Sequence, residues 1–116
     1  MKHRIFVTFN LALKLKAKGF PQKAYGSFYN SMGNLFHNVP LYSLYGPYAP
    51  TVDEVRVWLI EEKHIKLSVS KKKNFYIHIN KMNSIDNDIC LKVEKNNELS
   101  YRDIWFIGID TVLDII

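Results

Sequence analysis

A chain of 116 residues, 47% hydrophobic and 23% charged, fits one domain and excludes both a disordered tail and two independent cores. No stretch approaches the roughly 18 apolar residues of a membrane span, and the lone Cys90 excludes an internal disulfide or a cysteine-based zinc site. The net charge of +5 is unevenly placed, because Asp53 is the first acidic residue and six cations precede it (Lys2, Arg4, Lys14, Lys16, Lys18 and Lys23).

Lys2, His3 and Arg4 ahead of Ile5 to Leu13 mimic the start of a signal peptide. Asn10 interrupts that stretch, lysines follow at once and no small-x-small cleavage site appears, so a cytoplasmic protein is expected. Residues 10–18 (N-L-A-L-K-L-K-A-K) predict a short helix. Gly19 stands where a left-handed C-cap is wanted, Phe20 can supply its apolar contact, and Pro21 prevents continuation. The alternation Phe9, Leu11, Leu13, Leu15 fits a strand equally well, so the Gly-Phe-Pro stop decides for helix.

Residues 24–30 (A-Y-G-S-F-Y-N) read as a strand. A long irregular stretch, about residues 31–50, follows, punctuated by Gly33, Pro40, Gly46, Pro47 and Pro50. A connection of that length inside a compact domain is usually functional or mobile. Thr51 then opens a helix with the capping box T-V-D-E; Val52, Val55 and Leu59 form its apolar stripe, with Trp58 beside it, and Lys63 and His64 close it.

Ile65, Leu67 and Val69 alternate with polar residues as a half-buried strand does. A turn at Lys71 to Asn74 leads to a second strand through Phe75, Ile77 and Ile79. A turn at Asn83 to Asp88 leads to a third, Ile89 to Glu94. After a polar loop at Lys95 to Glu98 comes the last helix, Ser100 to Ile116, with Ser100 as N-cap and Asp103 three residues on.

At 100° per residue, the apolar residues of that helix cover an arc of roughly 200°, against a little over 100° for an ordinary surface helix. Either the helix lies deep in the fold, or part of it meets a second chain. In the second reading Trp105, Phe106, Ile109, Leu113 and Ile116 form a homo-oligomer contact. The expected fold is α+β: a small antiparallel sheet of about three to four strands packed by two or three helices, in the order α-β-α-β-β-β-α, forming one domain over residues 1–116.

Tested for chemistry, the chain offers little. No histidine pair has i, i+4 spacing, the five glycines form no phosphate-binding loop, and the paired carboxylates sit at a helix end and a turn. Cys90, between Ile89 and Leu91, reads as a small residue packed in or beside the core, and His78, out of phase with Ile77 and Ile79, as solvent-facing. No catalytic residue, cofactor site or metal site is assigned. Lys71, Lys72 and Lys73 read either as a turn whose charge blocks edge pairing or as a nucleic-acid contact.

The stretch from Phe20 to Tyr48 differs in kind. It is crowded with aromatic rings, and tyrosine offers a flat surface plus a hydroxyl at small entropic cost. Lys23, Tyr25, Tyr29, His37, Tyr42, Tyr45 and Tyr48 are therefore the candidate ligand- or partner-binding residues. The alternative is that these rings only cover the core.

The succession L-x-L-K-x-K-G-F-P, an aromatic stretch, A-P-T-x-D-E-V-x-x-W-L, a strand pair, then S-Y-x-D before an apolar helix ending in I-I resembles small uncharacterised accessory proteins encoded by phages and prophages of gut bacteria. The C-terminal helix is more apolar here than the alanine- and glutamate-rich one of that group. The resemblance implies a context without a reaction: a phage accessory protein in the cytoplasm of a bacterial host cell, acting on host factors or host defence. Together with the residues it points to a non-enzymatic binding protein engaging a host protein or sequestering a small anionic, nucleotide-like ligand. A nucleic-acid-binding regulator, using the basic N-terminal half and Lys71 to Lys73, is the alternative, and an assembly protein built through the C-terminal helix is a second.

Overall fold

The computed structural model describes residues 4–41, 43–82, 88–93 and 99–116. Among these residues it is an α+β fold of three helices and five strands in two small antiparallel sheets, ordered α-β-β-α-β-β-β-α. The chain divides into two compact units, residues 1–52 and 53–116.

In the first unit, α1 (Phe9–Ala17) starts at Thr8, whose side-chain oxygen accepts from the Leu11 amide at 3.3 Å. Leu11, Ala12 and Leu15 are its buried face. The helix reading of residues 10–18 holds, and its stop is a Schellman motif: the Phe20 amide donates to the Leu15 carbonyl and the Gly19 amide to the Lys16 carbonyl, at 2.9 and 3.1 Å. Gly19 supplies the left-handed φ of 92° that this geometry needs, and Phe20 is buried.

The stretch expected to be an irregular loop is largely paired. β1 (Tyr25–Tyr29) turns through Asn30 to Asn34 into a strand that sequence reading missed, β2 (Leu35–Pro40). The Asn30 carboxamide oxygen accepts from the Met32 and Asn34 amides at 3.0 and 2.9 Å, which closes the hairpin. Between the pairs Gly26–Val39 and Phe28–Phe36 the register slips, so His37 and Asn38 together oppose Ser27 in a bulge, with Asn38 at a φ of 57°.

Residues 47–49 run along the other edge of β1. The Tyr29 amide donates to the Pro47 carbonyl at 3.0 Å and the Ala49 amide to the Ser27 carbonyl at 2.8 Å. Residues 50–52 then pair with residues 5–7, through the Val7 amide to the Pro50 carbonyl and the Val52 amide to the Ile5 carbonyl. Gly46 makes this return feasible: a Cβ there would lie 1.7 Å from the Tyr29 carbonyl oxygen.

α2 (Val52–Lys63) starts one residue after Thr51, enters the second unit at Asp53 and buries Val55, Trp58 and Leu59. His64, at a φ of 55°, turns the chain directly into β3 (Ile65–Lys71), which pairs with β4 (Phe75–Lys81), which pairs with β5 (Ile89–Val93). The expected turn at Asn83 to Asp88 falls, but for Asp88, outside the described residues, as do Glu94 and the loop at 95–98.

α3 (Tyr101–Ile115) packs on β3 and β4. Its N-terminus is a full capping box: Ser100 Oγ accepts from the Asp103 amide at 3.2 Å, and the Asp103 carboxylate accepts from the Ser100 amide at 2.9 Å. Gly108 sits over the sheet, where a Cβ would meet Leu67 and Ile77 at 3.2 and 3.3 Å. Ile104, Trp105, Ile109, Val112 and Leu113 are buried with Ile65, Leu67, Ile77 and Ile79. The Arg56 guanidinium of α2 covers the Trp105 ring at 4.7 Å from its centroid.

Burial within the chain thus accounts for much of the wide apolar arc. Of the five residues named for an oligomer contact, Trp105, Ile109 and Leu113 are in the core. Phe106 and Ile116 are half-buried.

Candidate binding surface

Of the seven candidate binding residues in the first unit, the fold withdraws two into the core. The Tyr29 hydroxyl donates to the Val7 carbonyl, its ring meets Phe9 edge-on, and burial pushes its phenol above the ordinary pKa. Tyr48 is buried between Phe20, nearly parallel at 6.4 Å, and Phe28, edge-on at 5.4 Å, while its amide donates to the Gln22 side chain. Both rings are structural, which corrects the reading of Tyr29 and Tyr48 as binding residues. The physical reason is the return of residues 47–49 beside β1, which turns a loop tyrosine into a core one.

Four others lie at the surface. Lys23 is exposed, with its ammonium 5.6 Å from the centre of the Tyr48 ring. Tyr25 and Tyr45 are 60% and 88% exposed, and Tyr45 holds a left-handed φ of 56° just before Gly46. His37 is exposed but positioned: its Nδ1 lies 2.7 Å from Ser27 Oγ, and its ring is 5.0 Å from Phe6. The bulge aims it there. Tyr42 lies outside the described residues.

Two exposed apolar side chains were not anticipated, Met32 at the hairpin turn and Phe36 on β2, 83% and 43% exposed. Phe36 was hidden from sequence reading because β2 itself was. With Tyr25 at the base of β1, in phase with Tyr29, Phe36 opposite Phe28 on the other face, and Met32 at the turn, these groups spread along the hairpin, about 13 Å for five residues, and over both its faces. Such a spread suits a macromolecular surface better than a small convergent ligand. The unit carrying it, residues 1–52, contains six cations and no carboxylate, whereas residues 53–116 hold ten cations and eleven carboxylates. Lys14 and Lys16 lie in the last turn of α1, where cations complement the helix dipole.

In the second unit, His64 is exposed at the end of α2. His78 is half-buried and its Nε2 lies 3.0 Å from Ser70 Oγ. Cys90 is exposed and free. The expectation of a core cysteine fails because Ile89 and Leu91 take the α3 side of β5, which turns Cys90 outward. Lys71, Lys72 and Lys73 are exposed at the β3–β4 turn, closed by the Lys72 amide donating to the Asn74 carbonyl. Among the described residues no group of three His, Cys, Asp or Glu side chains is placed to hold a metal ion, and no helix is long and apolar enough to cross a membrane.

Comparison with protein-family models, with curated proteins and with solved structures returns no match.

Proposed function

We propose that this chain is a non-enzymatic binding protein whose acid-free first unit engages an acidic protein surface through the β1–β2 hairpin. One observation carries the reading. The change from six cations with no carboxylate in the same stretch to ten cations with eleven carboxylates falls at the boundary between the two compact units, between Val52 and Asp53. Cations without a carboxylate among them favour an acidic partner surface over a basic one. Met32, Phe36 and Tyr25 add the exposed apolar and aromatic anchors that protein interfaces use. Their spread along the hairpin favours a protein over a sequestered nucleotide. The phage-type resemblance makes a protein of the bacterial host, one of its defence factors included, the candidate partner.

The test is native mass spectrometry of the chain retrieved from host lysate, beside a Tyr25→Ser/Phe36→Ser variant. A retained acidic protein that the variant loses supports the reading. A bare chain, or one retaining a nucleotide in place of a protein, contradicts it.

A further inference from the structure

We infer that the outward face of the second unit's sheet is a binding platform for single-stranded nucleic acid. This face is separate from the β1–β2 hairpin and does not depend on the function proposed for it.

The strand register defines the face. Leu67, Ile77 and Ile79 take the side against α3, so the residues between them stand on the other side in rows. One row is Ser68, His78 and Cys90; the next is Ser70, Tyr76 and Lys92; Lys66 pairs with Asn80 beyond them. None of these positions is buried, and none is a carboxylate. Asp88, exposed and one residue before Ile89, continues the Lys66–Asn80 row at the edge of this face, and is the one carboxylate among its described residues beside Lys66 and Lys92.

Its layout fits a polyanion with splayed bases. The central strand β4 carries two rings, Tyr76 and His78, two residues apart, which sets them about 7 Å from each other on the same side. Successive unstacked bases can lie on such rings whatever their sequence, because every base has a π-face. Lys66 on β3 and Lys92 on β5 are exposed on either side of that line, where the phosphates would run. Lys72 and Lys73, exposed at the turn at one end of the sheet, extend the basic track, while Lys71 lies over the Phe75 ring on the α3 side. Ser70 Oγ, 3.0 Å from His78 Nε2, holds the imidazole in one orientation, and Ser68 and Asn80 offer hydrogen bonds to base edges. A duplex hides its base faces, so the rings select single strands.

The experiment is fluorescence anisotropy of the full chain with 5′-labelled dT15 and rU15 oligonucleotides across a salt series. One or both should bind at low salt, with a dT15 duplexed to dA15 binding more weakly. Tyr76→Ala should weaken binding at least about fivefold, the lower end of what one stacked base contributes, while Tyr76→Phe retains it and shows that the sheet survives substitution. Lys66→Gln/Lys92→Gln should flatten the slope of log K against log salt by about 1.4 for two lost phosphate contacts. Tyr25→Ser/Phe36→Ser should leave oligonucleotide binding unchanged, which separates this inference from the hairpin reading. The inference is overturned if neither oligonucleotide binds at low salt, if Tyr76→Ala binds as wild type does, or if labelled poly-glutamate shows the same sensitivity to Tyr76→Ala and so marks an acidic-protein site.

Discussion

Gly19 and Gly46 are both single glycines followed closely by a proline, yet they are held for opposite reasons. At Gly19 no atom lies within 4 Å of an added Cβ and only the φ of 92° resists it. Gly19→Ala should therefore cost about 1 kcal/mol, the penalty of a left-handed backbone. At Gly46 the obstacle is the backbone carbonyl of Tyr29, 1.7 Å from the Cβ, which no side-chain rotation relieves. Gly46→Ala should cost at least about 3 kcal/mol and lower Tm by on the order of 10 °C; thermal unfolding of the two variants side by side checks the order. Gly19 could be read from the Gly-Phe-Pro sequence around it, whereas Gly46 owes its necessity to a strand seventeen residues earlier. Tyr29 was misread for the same kind of reason. Its phenol has a pKa raised by burial, so its contribution to stability is complete below its ordinary value of 10.0 and is lost as pH rises through the higher folded value. Tyr29→Phe should lose about 1–2 kcal/mol at neutral pH through the unpaired Val7 carbonyl. Unfolding curves at pH 8 and pH 11 should also show a smaller alkaline loss in the variant than in wild type.

Elements whose signal is local were legible, and those defined by a partner were not. α1 ends where its Schellman motif places it, α2 starts after Thr51, and β3, β4 and β5 follow the alternation of Ile, Leu and Val. β2 escaped because all its side chains are exposed or half-buried, it ends in Pro40 and a bulge breaks its alternation at His37 and Asn38. Only pairing with β1 makes it a strand. The breadth of the α3 apolar arc was legible, and the sheet beneath it, approached closely at Gly108, is where much of that arc is used. The α3 capping box carries a pH prediction. The Asp103 carboxyl is held below its ordinary pKa, first by the Ser100 amide and then by the Ser100 hydroxyl. A depressed carboxylate adds stability that is present above its unfolded value of about 4 and is lost as pH falls through the lower folded value. Asp103→Asn should therefore flatten the acid limb of the stability profile below about pH 4, read by helical circular dichroism during acid titration. An unchanged acid limb would mean that other carboxylates set it.

At the scale of the molecule, the charge pattern was legible in the sequence, and the boundary between the two compact units falls at the first carboxylate. The candidate surface was legible in part: two tyrosines of the aromatic stretch support the core, and the exposed Met32 and Phe36 belong to the turn and second strand of a hairpin the sequence concealed. Hydroxyl-radical footprinting of the chain, free and bound to the acidic protein retrieved with it, tests the central claim most directly, because methionine and aromatic side chains report their own solvent access. Met32, Phe36, Tyr25 and Tyr45 should lose reactivity in the complex, while Met82 and Tyr101 of the second unit, 55% and 49% exposed, keep theirs. Protection of Met82 and Tyr101 with the hairpin left fully reactive would contradict the account.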